Sequence, residues 1–436
     1  MKKKLISLFI AAVIAVSAAV PSLHAAAADI NYGEYITNPI ETTVIIDGLT
    51  KAYRFVQIAD SHVVIISSDT SSYYYAESLT RFNQFAGLPL SASNPIYDPT
   101  SNGKPAFETL NAMYQWANEP ENDIDCVWLT GDNIDFPSSE NVSFITNLVD
   151  SGTVDHMYCF GNHDWTYPAK YFTTEARNSF RPMLTSAMGG NNLVAMRDYG
   201  EFVVVMIDNS ENYINYGSVA NFIRNTVVPL NKPTILLCHV PFYNPELLAY
   251  SKSVWGTDET MANPNQSKYT YTAATKYVYE WATTDPNVKA LFTGHFHTTI
   301  DAPIAGGAMQ YNTAAGYQGT MRIVTVRGTS CAVHTWVNDE VYTAPTTKPG
   351  TGHYTCSVCG EEKEDEIPAI YVGGDIDNDG KVSLMDALSI RMFLTRQIEF
   401  ENEQQLCCAD ANGDGKINTK DSLYVRKYLA GYLNNN

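Results

Sequence analysis

Six apolar runs, at 53–59, 126–130, 156–160, 202–207, 234–238 and 288–293, nearly all stop at a polar cluster built from Asp, Asn, Gly and His. The run Phe202-Val-Val-Val-Met-Ile207 is apolar at consecutive positions, and a strand tolerates that only when both of its faces are buried. Stretches with helical spacing of apolar residues lie between the runs, at 77–85, 107–118, 142–149, 218–225 and 273–282. The alternation predicts a layered α/β domain over 29–340, closed by two further strand-like runs at 321–326 and 330–337. Two connections, from 63 to about 105 and from 241 to about 272, are long for plain loops. The second is rich in Tyr, Asn and Ser, a composition suited to framing a pocket or to a surface excursion.

The polar clusters carry the chemistry. They are Asp60-Ser61-His62, Gly131-Asp132-Asn133-Ile134-Asp135, Gly161-Asn162-His163-Asp164, His239 and Gly294-His295-Phe296-His297. Loops beyond the carboxyl ends of parallel strands face one crevice, so the scaffold aims seven oxygen and nitrogen donors at one place. The spacing favours two metal ions. Asp60 and His62, two apart, can turn toward one ion, His295 and His297 can serve two, and Asp132 can bridge a pair with its two oxygens. Asn162 adds a neutral carbonyl oxygen. Two divalent ions, two aspartates and a hydroxide leave a slightly positive crevice that attracts phosphate. Donors without thiolate suit Mn²⁺, Fe or Zn²⁺.

The series Asp-x-His, Gly-Asp-x-x-Asp, Gly-Asn-His-Asp, His, Gly-His-x-His resembles the calcineurin-like metallophosphoesterases over roughly residues 50–330. The resemblance implies a β-sandwich flanked by helices and a phosphomonoesterase or phosphodiesterase activity. It places Asp60, His62, Asp132 and His297 around one ion, and Asp132, Asn162, His239 and His295 around the other. It gives His163 the task of protonating the leaving oxygen or stabilising phosphoryl charge, with Asp164 orienting the imidazole. Hydrolysis is then expected by in-line attack of a metal-bridging hydroxide. Two branches fit less well. Phe136-Pro137 follows Asp135 where the protein phosphatases carry an Arg, and Asp135 stands where the purple acid branch has a Tyr ligand. Asp208, His156 and His334 belong to no such pattern and read as turn, surface or core residues.

Beyond about residue 342 the composition changes. Residues 341–369 read as a linker, with Thr343-Ala-Pro-Thr-Thr-Lys-Pro-Gly350 and the acidic run Glu361-Glu-Lys-Glu-Asp-Glu366. Between them His353-x-x-Cys356-x-x-Cys359-Gly360 resembles half of a zinc ribbon without a second Cys pair, so a local disulfide or a vestigial repeat stands ahead of metal binding. Residues 370–436 contain a repeat of period 35. Asp375, Asp377, Asp379, Ser383 and Asp386, with the Lys381 carbonyl, occupy positions 1, 3, 5, 9, 12 and 7 of a calcium loop, with Gly380 at the turn. Asp410, Asn412, Asp414, Asn418 and Asp421, with the Lys416 carbonyl, do the same in the second copy. Each loop is followed by an amphipathic helix. The pair resembles a dockerin module, which implies an all-α domain folded by two Ca²⁺ and docking onto a cohesin. Leu384-Met385 and Thr419-Lys420 take the paired positions that such modules use to choose a partner, and their difference predicts two inequivalent docking faces.

Residues 1–28 read as a secretory leader, with Lys2-Lys3-Lys4, an apolar stretch shorter than a membrane span, and Ala25 to Ala28 before the expected cleavage. An exported protein attached to a cellulosome-like assembly follows, with no membrane partner. The formal charge of −19 disfavours nucleic-acid binding, which needs cationic side chains along the phosphates. Cys126, Cys159 and Cys238 lie inside strand-like runs, where thiols pack as small hydrophobes. The competing reading is a non-catalytic metal- or glycan-binding component displayed by the calcium module.

Overall fold

The computed structural model describes residues 30–87, 100–165, 173–184, 193–262, 272–329 and 334–433, so the expected leader and parts of both long connections lie outside the described residues. The chain divides after Arg327 into two compact units.

Among the described residues of the first unit, eleven strands build two sheets. One has the order β1-β11-β2-β3-β4, from Asn38–Ile45 (β1), Tyr53–Ile58 (β2), Cys126–Thr130 (β3), Asp155–Cys159 (β4) and Thr320–Arg327 (β11). The other runs β5-β6-β7-β8-β10-β9, from Val194–Asp198 (β5), Val203–Ile207 (β6), Thr234–Leu237 (β7), Val288–Thr293 (β8), Ile300–Pro303 (β9) and Met309–Asn312 (β10). Strands β2, β3 and β4 are mutually parallel, as are β6, β7, β8 and β10. The α/β alternation therefore yields two sheets packed face to face, a β-sandwich with helices outside.

Side-chain alternation explains the layers. Val204 and Met206 of β6 join the core shared with Phe55, Trp128 and Phe292, whereas Val203, Val205 and Ile207 face the core with Val219, Ile223 and Val278. Trp128 stacks on Phe55 at 4.4 Å and reaches Phe292 of the opposite sheet at 5.1 Å. Helices α1 (Tyr73–Phe85), α2 (Ala106–Asn118), α3 (Ser139–Ser151), α4 (Thr174–Phe180), α5 (Gly217–Phe222), α6 (Pro245–Trp255) and α7 (Ala273–Thr284) fill the connections. Strand β1 had no sequence signal because it lies on an edge, and most of its residues remain exposed or half-buried.

One buried polar chain ties the sheets together beneath the clusters. Gln57 Nε2 donates to Thr130 Oγ1 at 2.9 Å and to the Thr293 carbonyl at 3.0 Å, while its Oε1 accepts from Thr313 at 2.6 Å. Thr313 in turn accepts from Arg322, which pairs with Asp301 at 2.7 Å. Gln57→Leu leaves these partners buried without their bonds, so it is expected to lower stability by about 1–3 kcal/mol, measured as a shift of the denaturation midpoint at unchanged slope.

In the second unit, the segment expected to be a linker carries strands. Trp336–Thr343 (β12), Gly350–Cys356 (β13) and Glu362–Ile367 (β14) form an antiparallel sheet. Helices α8 (Leu384–Leu394), α9 (Glu403–Ala409) and α10 (Thr419–Leu429) follow, with Ile376, Ile390, Cys408 and Val425 at their core. Among the described residues, no helix is long and apolar enough to cross a membrane.

Candidate metal centre

Each cluster continues its strand for one or two residues before turning. Asp60 and His62 donate their backbone N–H groups to Gly131 and Asp132, both at 2.9 Å, so the ends of β2 and β3 stay zipped together. Gly294 donates likewise to His239 at 3.0 Å beyond β7 and β8. The donors thus come from the carboxyl ends of both sheets, not of one. Asp60, His62, Asp132, His295 and His297 all have positive φ, between 44° and 71°. Left-handed backbone at five non-glycine residues is strain held by the surrounding fold, a pattern that collects at functional sites. The adjoining glycines are required sterically. A Cβ on Gly161 would overlap Asp132, and one on Gly294 would overlap the Asp60 carboxylate.

The imidazoles are turned so that ring nitrogens meet. His62 Nδ1 faces the Asp135 carboxylate at 2.8 Å and must carry the proton, which leaves Nε2 as an acceptor 3.0 Å from His297 Nε2. His239 Nδ1 faces the Thr130 carbonyl at 3.0 Å, leaving its Nε2 3.2 Å from Asp132 Oδ2 and 3.2 Å from His295 Nδ1. Each pair of facing nitrogens needs a proton or a metal ion between them, and four ring nitrogens beside the buried Asp60 and Asp132 carboxylates make a donor set that cations satisfy. Three-donor groups converge at Asp60, His62 and His297 and at Asp132, His239 and His295, with donor atoms within 4.8 Å of one another. Asn162 Oδ1 and His295 Nε2 are buried without a hydrogen-bond partner. This donor set fits a pair of divalent ions.

The electrostatics agree. Burial lowers His62 to about 4 and, with the neighbouring His239, His295 to about 3, so both imidazoles stay neutral, the form that coordinates metal. Burial opposes charge on Asp132, yet His239 and His163 hold its carboxyl well below the usual range. Against the effect of burial, Asp132 raises His239 to about 9, a proton answering buried negative charge where a cation would otherwise do so.

Asp164 requires a correction. Its oxygens accept from the backbone N–H groups of Asn133, Ile134 and Gly161 and from Tyr158 Oη, at 2.8–3.1 Å, so it braces two loops and does not orient His163. Burial and the Asp132 charge raise its carboxyl to about 7. The orienting residue is Asp135, whose carbonyl lies 2.9 Å and carboxylate 3.2 Å from His163 Nδ1. Arg81 on α1 grips the same carboxylate through two bonds of 2.7 Å. His163 also donates its backbone N–H to Asp132 at 2.8 Å, and despite burial the Asp132 and Asp135 charges raise its imidazole, favouring the protonated form.

A cavity of about 320 Å³ opens onto Asp132, Asn162, His163, His295 and His297. Trp255 and Glu259 complete its wall, both from the long second connection. Sequence reasoning flagged that connection but neither residue, and it missed Arg81. Nothing local marks an Arg on a helix that acts 54 positions away.

In the second unit, the two calcium-type loops share their main backbone-to-carboxylate bonds. Asp375 accepts from Asp379 and Gly380 N–H at 3.2 and 3.0 Å, and Asp410 from Asp414 and Gly415 at 3.0 and 2.7 Å. Asp386 accepts from Ser383 N–H at 2.8 Å and Asp421 from Asn418 at 2.7 Å, closing a capping box at the start of α8 and of α10. Gly380 and Gly415 turn with φ of +83° and +81°. Asp375, Asp377 and Asp386 crowd their carboxylates within 4.8 Å, a like-charge cluster that suits a hard cation. Asp379, Lys381, Ser383, Asp414, Lys416 and Asn418 hold the remaining loop positions, with the Lys416 carbonyl accepting from Asn418 at 3.1 Å.

His353 and His334 exchange the roles that spacing suggested. His353 turns to Asp339 at 2.6 Å, while the ring of His334, a residue without a sequence pattern, lies 3.4 Å from Cys359 Sγ.

Over residues 53–299 the chain matches the family model of calcineurin-like phosphoesterases, and over 373–430 that of dockerin type I domains. It is similar to the solved structure of a dimetal phosphatase from Danio rerio, at 12% identity and a TM-score of 0.39, covering 73% of this chain and 100% of that one. A phosphopantetheinyl hydrolase from Mycobacterium tuberculosis matches at 11% identity and 0.29, covering 62% and 92%. A 5'-nucleotidase from Candida albicans matches at 11% and 0.32, covering 64% and 47%. No curated protein matches the chain.

Proposed function

The chain belongs to the calcineurin-like phosphoesterases and carries a dockerin type I domain, and from that premise we propose an exported hydrolase of phosphoric esters that works with two divalent transition-metal ions. The observation that carries the reading is the convergence of imidazole nitrogens at 3.0 Å and 3.2 Å beside two buried aspartates. Asp60, His62, Asp132 and His297 would hold one ion, and Asp132, Asn162, His239 and His295 the other. Such ions, when bound, supply Lewis-acid polarisation of the phosphoryl group and a lowered pKa of water. The chain's own residues do the rest. His163, its Nδ1 fixed by Asp135 and its proton favoured by two carboxylates, delivers that proton to the leaving oxygen from Nε2. Arg81 keeps Asp135 ionised and in place, since the guanidinium holds that carboxyl well below its usual range against burial. The cavity wall at Trp255 gives the ester's organic group an aromatic surface.

The dockerin module would attach the enzyme to a cohesin-bearing scaffold outside the cell. Leu384 and Met385 are 67% and 63% exposed at the start of α8, an apolar face that suits docking.

The test is phosphate release from a panel of mono- and diesters by metal-stripped protein resupplied with Mn²⁺, Fe²⁺ or Zn²⁺. Silence across the panel would leave a binding component instead. His163→Ala is expected to keep its metal and lose about 10²–10⁴-fold in rate, most for esters with poor leaving groups. An equal loss for all leaving groups would remove His163 from proton delivery.

A further inference from the structure

The β12–β14 sheet has almost nothing to hold it together. Its buried residues Cys356, Val358 and Cys359 form one small cluster with half-buried Trp336, while β12 and β14 are exposed along nearly their whole length. Three short strands with so little apolar burial need a staple, either a disulfide or a metal. The strand pairing shows which. Trp336 lies opposite Cys356, and the ladder runs on through Ser357 N–H to the Thr335 carbonyl at 2.9 Å. That register carries His334, two residues before Trp336, over the turn that ends in Cys359.

The turn is tight and directed. Gly360 donates to the Cys356 carbonyl at 2.8 Å with φ of +71°, and Cys356 donates to Glu361 at 2.8 Å. It brings His334 Nδ1 to 3.4 Å from Cys359 Sγ, with one donor atom from each of His334, Cys356 and Cys359 inside a 4.8 Å circle. Tetrahedral zinc with bonds of about 2.3 Å to sulfur and about 2.0–2.1 Å to nitrogen sets those atoms about 3.6 Å apart. The other ring nitrogen of His334 faces the Glu361 carboxylate at 3.5 Å, the outer partner that a metal-bound imidazole usually has.

We propose that His334, Cys356 and Cys359 bind a structural zinc ion that staples the β12–β14 sheet, separate from both the phosphoesterase centre and the calcium loops. A disulfide within Cys356-Ser-Val-Cys359 would use both sulfurs, whereas the His334 ring, stacked on Trp336 at 4.8 Å, presents Nδ1 to the Cys359 sulfur. Cys331 stands three residues before His334 in the sequence but lies outside the described residues, so the three described donors carry the assignment.

Cobalt substitution of the reduced, metal-stripped full chain tests this, because only a thiolate site gives a sulfur-to-cobalt charge-transfer band. The other proposed centres offer oxygen and nitrogen alone. One equivalent of thiolate-bound cobalt per chain is expected, displaced by one equivalent of zinc. The band should be lost in Cys356→Ser and Cys359→Ser and kept in Cys407→Ser. His334→Asn retains both sulfurs and is expected to weaken cobalt binding at least about tenfold, which covers the case in which the serine variants fail to fold. No charge-transfer band in the reduced wild type, or one that survives in the Cys356→Ser/Cys359→Ser double variant, overturns the proposal.

Discussion

Asp132→Asn is expected to abolish phosphoester hydrolysis, by about 10³-fold or more, and to lower the metal content of the first unit while leaving that unit folded. The separation of the two effects follows from the bonds at Asp132. Its Oδ1 accepts the His163 backbone N–H at 2.8 Å, and an amide oxygen does that equally well. Its Oδ2 lies 3.2 Å from His239 Nε2, where an amide NH₂ can donate to the ring. The variant therefore exchanges a charged contact with His239 for a neutral hydrogen bond and relieves a buried charge. What it loses is the second anionic oxygen, without which the proposed bridge between two cations cannot form. Metal analysis, an ester assay and the thermal midpoint together check this. Full activity in metal-loaded Asp132→Asn would sink the dinuclear reading.

The second large effect is expected on removal of calcium. In each loop, carboxylates are gathered by backbone N–H groups around an acidic centre, and α8 and α10 start from the last carboxylate of that centre through their capping boxes. The helices meet through Ser422, which donates to the Ala387 carbonyl at 2.9 Å, and through a core of few apolar residues. So small a core leaves the folded state dependent on cation binding, which at about 1,000 times the dissociation constant contributes roughly 4 kcal/mol per site. Chelation should therefore strip amide-exchange protection from α8 and α10 and leave β2, β3 and β4 protected. Unchanged protection in both helices would show that the loops are not calcium-folded.

The contrast between Asp164 and Asp135 shows where sequence reading reaches its limit. Both carboxylates sit in the same clusters as proposed ligands, and the family resemblance pointed to Asp164 as the partner of His163. The loop after β4 instead turns Asp164 inward, onto N–H groups that would otherwise be buried unpaired, and the carboxylate reaching His163 comes from the β3 loop, 28 positions away. His334 is the same case in the second unit, since its meeting with Cys359 is created by strand register and not by spacing. Arg81, Trp255 and Glu259 had no signal for the same reason.

What the chain determined by itself was local. Apolar runs that end in Asp-x-His or Gly-His-x-His specify strands with donors at their carboxyl ends, and two Asp-rich loops at a repeat of 35 specify paired cation sites. Those patterns were legible because strand alternation and loop ligation act over a few neighbouring residues. The tertiary structure decided that two sheets, not one, supply the donors, and it alone set His62 against His297 across 235 positions of chain. Packing of one sheet on the other, through Trp128 and Gln57, brings those two rims together, and no spacing within a single segment encodes it.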